Sequence, residues 1–283
     1  MSTVLTRPAT KSPRRRRDSS AEYQAIKAVN WSTLREMGRS PLHYQHRLTT
    51  PREDTPAMAA GRLIHTAVLE PDRLSLDYAV WEGGRRSTNA YKAWLEQQGQ
   101  RQAVTLKEYE NALDVSDAVR SHKAARRLLR YGQPEVTLQW VDPITRMRCK
   151  ARIDWLRGDA LIDLKSTGDV DNHTFGRLAA RMGYAGQLTF YRMGLLATGH
   201  KLAPVRIIAV EVDAPHDVGV FAVDEHVLYA GELEVRKLLH QVKDCRRKRR
   251  WPGRYTDEES LDYPEWALAS DSDYTDTRIE VLS

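Results

Sequence analysis

The sequence predicts an α/β fold in which a mixed central β-sheet is flanked by helices. Three observations predict it. Residues 135–166 hold three short runs rich in apolar and β-branched residues, parted by turn residues. Helical periodicity occupies the chain before and after them. Two more strand-like runs, 204–213 and 217–222, return after a pair of helical segments. With 283 residues, 41% of them hydrophobic, the chain has material for a real core, and one elaborated domain over 21–255 is expected.

In chain order, residues 1–20 read as a basic, disordered arm, because Lys11-Ser-Pro-Arg-Arg-Arg-Arg17 is charged and carries no apolar signal segment. Helices are predicted over 21–48 and 57–70, with Ser32 as an N-cap and Pro41 as a break. Gly83-Gly84 and the charges around them mark a mobile loop within 81–101, ending in a helix over 90–97. Leu106, Tyr109, Leu113, Val119, Ala124 and Leu128 are partly periodic and predict a helix over 105–130. Strands follow at 135–141, 147–156 and 160–166, then helices at 172–182 and 184–198, strands at 204–213 and 217–222, and a helix over 224–248. Residues 256–283 turn acidic and read as a tail.

Composition excludes several classes. No run approaches the roughly 18 apolar residues that span a membrane. Two cysteines, Cys149 and Cys245, disfavour a disulfide scaffold and exclude a four-cysteine iron–sulfur cluster within the chain, so a cytoplasmic protein is expected. The net charge of +6 is uneven. Arg246, Arg247, Lys248, Arg249 and Arg250 end the last helix, where they suit either phosphate groups or a solvated helix terminus; Trp251 beside them can stack or pack.

The most informative stretch is Lys150 to Lys165. A two-residue type II′ turn at Gly158-Asp159 makes cross-strand residue numbers sum to 317, so that Asp154 faces Asp163 and Trp155 faces Ile162. Alternation then puts Ile153, Trp155, Ile162 and Leu164 on one side, with Arg152, Asp154, Asp163 and Lys165 on the other. Like charges facing each other across strands are destabilising. The pair therefore invites a cation, and hard oxygen ligands suit Mg²⁺ or Mn²⁺, with Lys165 placed to steady a developing anion or orient a water.

Other residues add to this group. Gly61 and His65 lie four apart and stack on one helical face, although a satisfied core or surface histidine is the commoner role. Tyr184, Gln187, Leu188, Tyr191 and Leu195 form one helical stripe, which as a pattern reads as core, yet a buried Gln187 amide must find partners. Alternation in Glu135-Val-Thr-Leu-Gln-Trp-Val places Glu135, Thr137 and Gln139 opposite Val136, Leu138 and Trp140. Glu135 is either a further acidic group of the site or a solvated edge residue.

Asp154 followed by Asp163-Leu-Lys165 resembles the metal-binding core of the PD-(D/E)XK nucleases, with Asp where Glu is more frequent. Gly61-Arg-Leu-Ile-His65 and Gln187-Leu-Thr-Phe-Tyr191 are similar to the Gly-x-x-x-His and Gln-x-x-x-Tyr motifs of their RecB and RecE branches. The order of motifs, with Ser40-Pro41-Leu-His-Tyr44, Leu69-Glu70-Pro71 and Trp251-Pro-Gly-Arg-Tyr255, resembles the RecE-like (exonuclease VIII type) exonucleases of phages and prophages. The resemblance implies a restriction-endonuclease-like core. It also implies a Mg²⁺-dependent deoxyribonuclease acting on double-stranded DNA ends, with 5′→3′ polarity, in recombination or repair. Asp154, Asp163, the Leu164 carbonyl and His65 would be the metal ligands. Lys165, Gln187 and Tyr191 would serve catalysis. A ring-like homo-oligomer and a single-strand annealing partner are implied by the resemblance alone. A RecB-like or restriction-type nuclease, or an idle DNA-binding scaffold, are the alternatives.

Overall fold

The computed structural model describes residues 20–50, 53–158, 160–201 and 204–268. The arm up to residue 19, Asp159 of the predicted turn, and the tail from 269 lie outside the described residues. The chain opens with α1 (Ser20–Ala25), α2 (Trp31–Leu34), a 3₁₀ turn at Arg35–Gly38 and α3 (Pro41–Thr49). The helical stretch expected over 21–48, with its break at Pro41, is thus three α-helices and a 3₁₀ turn. Val29 leaves the helical path to bridge Cys149, donating its N–H to Arg148 O and accepting from Lys150 N. Asn30, not Ser32, caps the second helix: its carboxamide oxygen accepts from Thr33 N, and Ser32 donates its hydroxyl to the same oxygen. Pro41 acts as expected, opening a helix capped by Ser40.

Next come α4 (Pro56–Leu69), α5 (Leu74–Asp77), β1 (Tyr78–Trp81), α6 (Asn89–Glu96), β2 (Gln102–Thr105), α7 (Leu106–Ser121) and α8 (Lys123–Leu129). Two short strands that the sequence did not predict flank the region read as a loop plus helix, and β1 and β2 pair in parallel. Their four-residue length leaves too little alternation to betray a strand. Trp81, Tyr91 and Trp94 pack into a small aromatic cluster beside them, with ring centroids 5.2–5.9 Å apart. Thr105 and Glu108 form a capping box at the start of α7, and His122 ends that helix and caps the next.

The central sheet contains β3 (Gln133–Val141), β4 (Arg148–Arg157), β5 (Ala160–Thr167), β6 (Val205–Glu211) and β7 (Val218–Val223), in that spatial order. Only β5 and β6 are parallel. Their crossover is α9 (Asn172–Met182) and α10 (Tyr184–Ala197), and α11 (Glu225–Lys248) follows β7. One apolar layer joins Leu34, Tyr44, Leu188, Leu195, Val235 and Leu239 to Leu138, Ile153, Leu161 and Ile207 of the sheet. The opposite layer joins Ile64, Val68, Val115 and Val119 to Ile162, Leu164, Ile208 and Val210. The fold is the expected helix–sheet–helix sandwich, and β5 is its central strand, buried on both faces.

The hairpin register holds, because Trp155 pairs Ile162, Leu156 pairs Leu161 and Arg157 pairs Ala160. The ladder then stops. Asp154 and Asp163 are not ladder partners; the Asp154 carboxylate instead accepts the Leu164 N–H at 2.9 Å. The expected sharing of one face by Ile153, Trp155, Ile162 and Leu164 also fails, since Ile153 packs in the first layer and the other three belong to the second. Beside Asp154, Glu135 of β3 takes φ +51, and it alone is skipped in a ladder otherwise continuous from Gln133 to Val141. An irregularity in two neighbouring strands breaks the alternation that a regular strand would impose.

Candidate active site

Five elements deliver side chains to the break in the sheet. The central strand supplies Asp163, fully buried, and Lys165, whose ammonium lies 2.5 Å from Asp163 Oδ2. Its neighbour β4 supplies Asp154, and β3 supplies Glu135. From one side α4 brings His65, with Nδ1 3.8 Å from Asp154 Oδ2. From the other, α10 brings Gln187, whose Nε2 donates to Tyr191 OH at 2.9 Å and to Asp163 Oδ1 at 3.4 Å. Ligand atoms of His65, Glu135 and Asp154 all lie within 4.8 Å of one another. The structure therefore brings together Asp154, Asp163, Lys165, Gln187, Tyr191, His65 and Glu135. Leu164 buries its side chain in the core, and its main chain bonds both Asp154 and His65.

Electrostatics follow from burial around a knot of charge. Burial pushes the Asp163 carboxyl up to about 6; Lys165 pulls it down and Asp154 pushes it up again. Asp154 is raised for the same first reason, against Lys165, the Leu164 N–H and Arg152. The two carboxylates hold the Lys165 ammonium above its ordinary value, outweighing its own burial, so Lys165 is a charge and a donor at neutral pH, not a base. His65 is pushed down to about 4 by burial and by Lys165. It is neutral at pH 7, with a lone pair to offer. Burial also raises Tyr191 well above the ordinary phenol value, which keeps its hydroxyl protonated.

These residues fit a hard divalent cation. The donors are one imidazole nitrogen and carboxylate oxygens, and among the described residues the three carboxylates of Glu135, Asp154 and Asp163 face only the two positive charges of Arg152 and Lys165. His65, Glu135, Asp154 and Asp163 are the residues that would hold it.

Three further neighbours are not among the site residues named from the sequence, although Arg152 falls on the predicted face of Asp154 and Tyr184 in the stripe of Gln187. Arg152 pairs with Glu135 at 2.8 Å and lies 4.9 Å above the Tyr23 ring. Tyr23 is fixed by Lys150, whose ammonium takes Tyr23 O, Gln24 O and Ile26 O at the end of α1 and sits over the same ring. Tyr184 lays its ring 4.8 Å from the Lys165 ammonium. Arg152 and Tyr184 had a signal, being two residues before Asp154 and three before Gln187. Tyr23 had none, because its place depends on a contact across more than a hundred residues.

The basic cluster stands apart from this group. Arg246, Arg247, Lys248, Arg249 and Arg250 are exposed at the end of α11, with Arg247 paired to Asp244 at 3.0 Å. Trp251 does not lie open beside them, because it stacks on the buried Tyr44, centroids 5.5 Å apart, and packs against the core.

No curated protein matches the chain. Among solved structures, the fold is similar to that of a protein from Eubacterium rectale assigned provisionally as an exonuclease. That similarity covers 91% of this chain and 97% of the other at 13% identity, with a TM-score of 0.60. An alkaline exonuclease (LHK-Exo) from Laribacter hongkongensis is also matched, over 66% of this chain and 97% of its own, at 12% identity and a TM-score of 0.27. A family profile described as a PDDEXK-like domain of unknown function (DUF3799) matches residues 30–263. That span runs from the Asn30 cap to beyond α11 and contains every residue of the group except Tyr23, so the chain belongs to this PDDEXK-like family.

Proposed function

We propose that the protein is a Mg²⁺-dependent exodeoxyribonuclease that degrades linear double-stranded DNA from its ends, 5′→3′, to leave single strands for recombination. The observation that carries the reading is the convergence of His65, Glu135 and Asp154 within 4.8 Å beside the Asp163–Lys165 pair. Such a site suits an anionic substrate, because a phosphodiester repels an incoming oxygen nucleophile until its charge is offset. A bound Mg²⁺, for which Mn²⁺ can substitute, would supply that offset and make water a better nucleophile. The protein's own part is positional. Lys165 holds a positive charge beside the phosphate, steered by Asp163 and by the Tyr184 ring. Gln187 fixes Asp163 and Tyr191 together, and the Tyr191 hydroxyl remains a donor for a phosphate oxygen. Hydrolysis forms a bond from the water oxygen to phosphorus and breaks the bond from phosphorus to the 3′ oxygen, which leaves with a proton.

The choice of duplex ends draws on the resemblance to RecE-like enzymes and on the fold shared with a protein assigned as an exonuclease. A ring-shaped homo-oligomer and a single-strand annealing partner belong to the same reading. The test is digestion of linear duplex labelled at the 5′ or the 3′ terminus, with and without Mg²⁺ or EDTA, and with a closed circle as control. Early release of 5′ label only with Mg²⁺ is expected; no digestion under any divalent cation would refute the nuclease reading.

A further inference from the structure

Past Lys165 the central strand leads into a second feature. A groove of about 570 Å³ opens between the end of β5 and α9, lined by Thr167, Gly168 and Asp169 on one side and by Thr174, Arg177, Leu178 and Arg181 of the helix. Phe175 roots α9 in the core, while Arg177 and Arg181, one helical turn apart, are exposed on the groove side. Arg62, Arg86 and Arg236 each pair with a carboxylate, of Asp54, Glu108 and Glu232 respectively. Among the described residues no carboxylate lies within 4.0 Å of Arg177 or Arg181. The carboxylates at the groove mouth are turned to the backbone instead, Asp169 accepting Asp171 N at 2.7 Å, and Asp171 accepting His173 N and Thr174 N at the helix start.

Position gives this pair its meaning. Thr167 lies two residues beyond Lys165 on the same strand and face, about 7 Å at the rise of an extended strand. A DNA strand places a phosphate every ~3.4 Å along the duplex axis. A strand whose scissile phosphate meets Lys165 and that runs on past Thr167 would carry its next phosphates into this groove. Two guanidinium groups free of carboxylates are suited to them, since each presents paired N–H donors to phosphate oxygens. Resting on the nuclease reading above, we infer that the groove is a phosphate subsite, in which Arg177 and Arg181 hold the backbone one or two nucleotides from the bond that is cut.

The test is made on the full chain with a fluorescein-labelled linear duplex, binding being read in EDTA and cleavage in Mg²⁺. Arg177→Gln/Arg181→Gln should raise the apparent Kd and KM at least tenfold and flatten the log Kd against log salt plot by about 1.4–1.8, at 0.7–0.9 for each phosphate no longer neutralised. kcat should stay within about threefold, because neither residue touches the reacting atoms. Arg177→Lys/Arg181→Lys should keep most of the salt slope, which separates charge from any loss of fold. Asp169→Asn should change binding in the opposite direction, tightening it.

Single neutral methylphosphonates placed at successive positions give the location. Wild-type binding should weaken at one or two adjacent positions, and the Gln double variant should be indifferent there. A double variant with wild-type salt slope, or one as sensitive as wild type at every position, overturns the subsite. If wild type binds duplex but never cuts it, the nuclease reading fails while the binding measurements still decide the groove.

Discussion

At the scale of single residues, the site is a set of charges whose mutual cost predicts what substitutions do. Asp163 is raised from 3.8 to about 6, which at 1.36 kcal/mol per pH unit is an ionisation penalty of about 3 kcal/mol in the cation-free protein. Because its folded value exceeds the unfolded one, the native state binds more protons between those pH values, and its contribution to stability falls as pH rises through that window. Asp163→Ala should therefore abolish cleavage yet stabilise the metal-free protein at pH 8 by about 1–3 kcal/mol, the lower end reflecting the carboxylate that Lys165 forfeits. Urea unfolding in EDTA at pH 4 and pH 8 checks this: a variant less stable than wild type at pH 8 contradicts it, as would retained Mg²⁺-dependent cleavage. Lys165→Ala should lower kcat by at least a hundredfold and leave Mg²⁺ affinity within about tenfold, since an ammonium is no ligand. Calorimetric loss of Mg²⁺ binding as complete as in Asp154→Ala would make Lys165 structural. Most of these residues were legible in the sequence as spaced motifs. The pairing of Glu135 with Arg152 was not, because it depends on a left-handed backbone at Glu135 that no alternating pattern signals.

At the scale of elements, the hairpin register could be read from one turn and its flanking runs, and Trp155 opposite Ile162 bears that out. What could not be read was where the ladder ends, since period-2 reasoning assumes that both strands stay regular. The same limit applies to the first helices, where Val29 is drawn to the sheet edge by Cys149. The helix carrying Gln187 and Tyr191 is held by unusually close packing. A Cβ on Gly231 of α11 would stand 2.4 Å from Ala185 O, and one on Gly186 would stand 2.0 Å from the Trp31 ring. Gly231→Ala should cost about 1–3 kcal/mol by overpacking. It should also reduce kcat, because any retreat of α10 moves Gln187 off Asp163; thermal unfolding with parallel kinetics reads both, and a wild-type melting point would show that the helices part freely. At the other end of α11, Lys248→Ala/Arg249→Ala/Arg250→Ala should weaken duplex binding and flatten its salt dependence by about 0.9 for each phosphate these side chains neutralise. An unchanged slope assigns that cluster to solvent or to a subunit interface.

At the scale of the whole molecule, the α/β sandwich was legible because five apolar runs and the helical segments between them leave few layered arrangements, and the parallel step from β5 to β6 demands a crossover. How the protein would admit DNA under the proposed function has no such signature. A carboxylate group and a lysine can hydrolyse any phosphodiester, so a requirement for ends must come from the protein around them. Under the exonuclease reading, duplex enters a channel formed by several subunits, and many weak phosphate contacts exchange one at a time as it advances, which keeps the enzyme engaged. A covalently closed circle presents no end to thread. The expected result is that linear duplex is converted to mononucleotides and a long single-stranded remainder, that a closed circle survives under the same conditions, and that sedimentation gives a mass above the 32.4 kDa of one chain. Linearising the circle with a restriction enzyme in the same tube should make it a substrate at once, since only topology has changed. Rapid cutting of the closed circle by a protein sedimenting as a monomer would overturn the end requirement and leave a metal-dependent endonuclease in its place.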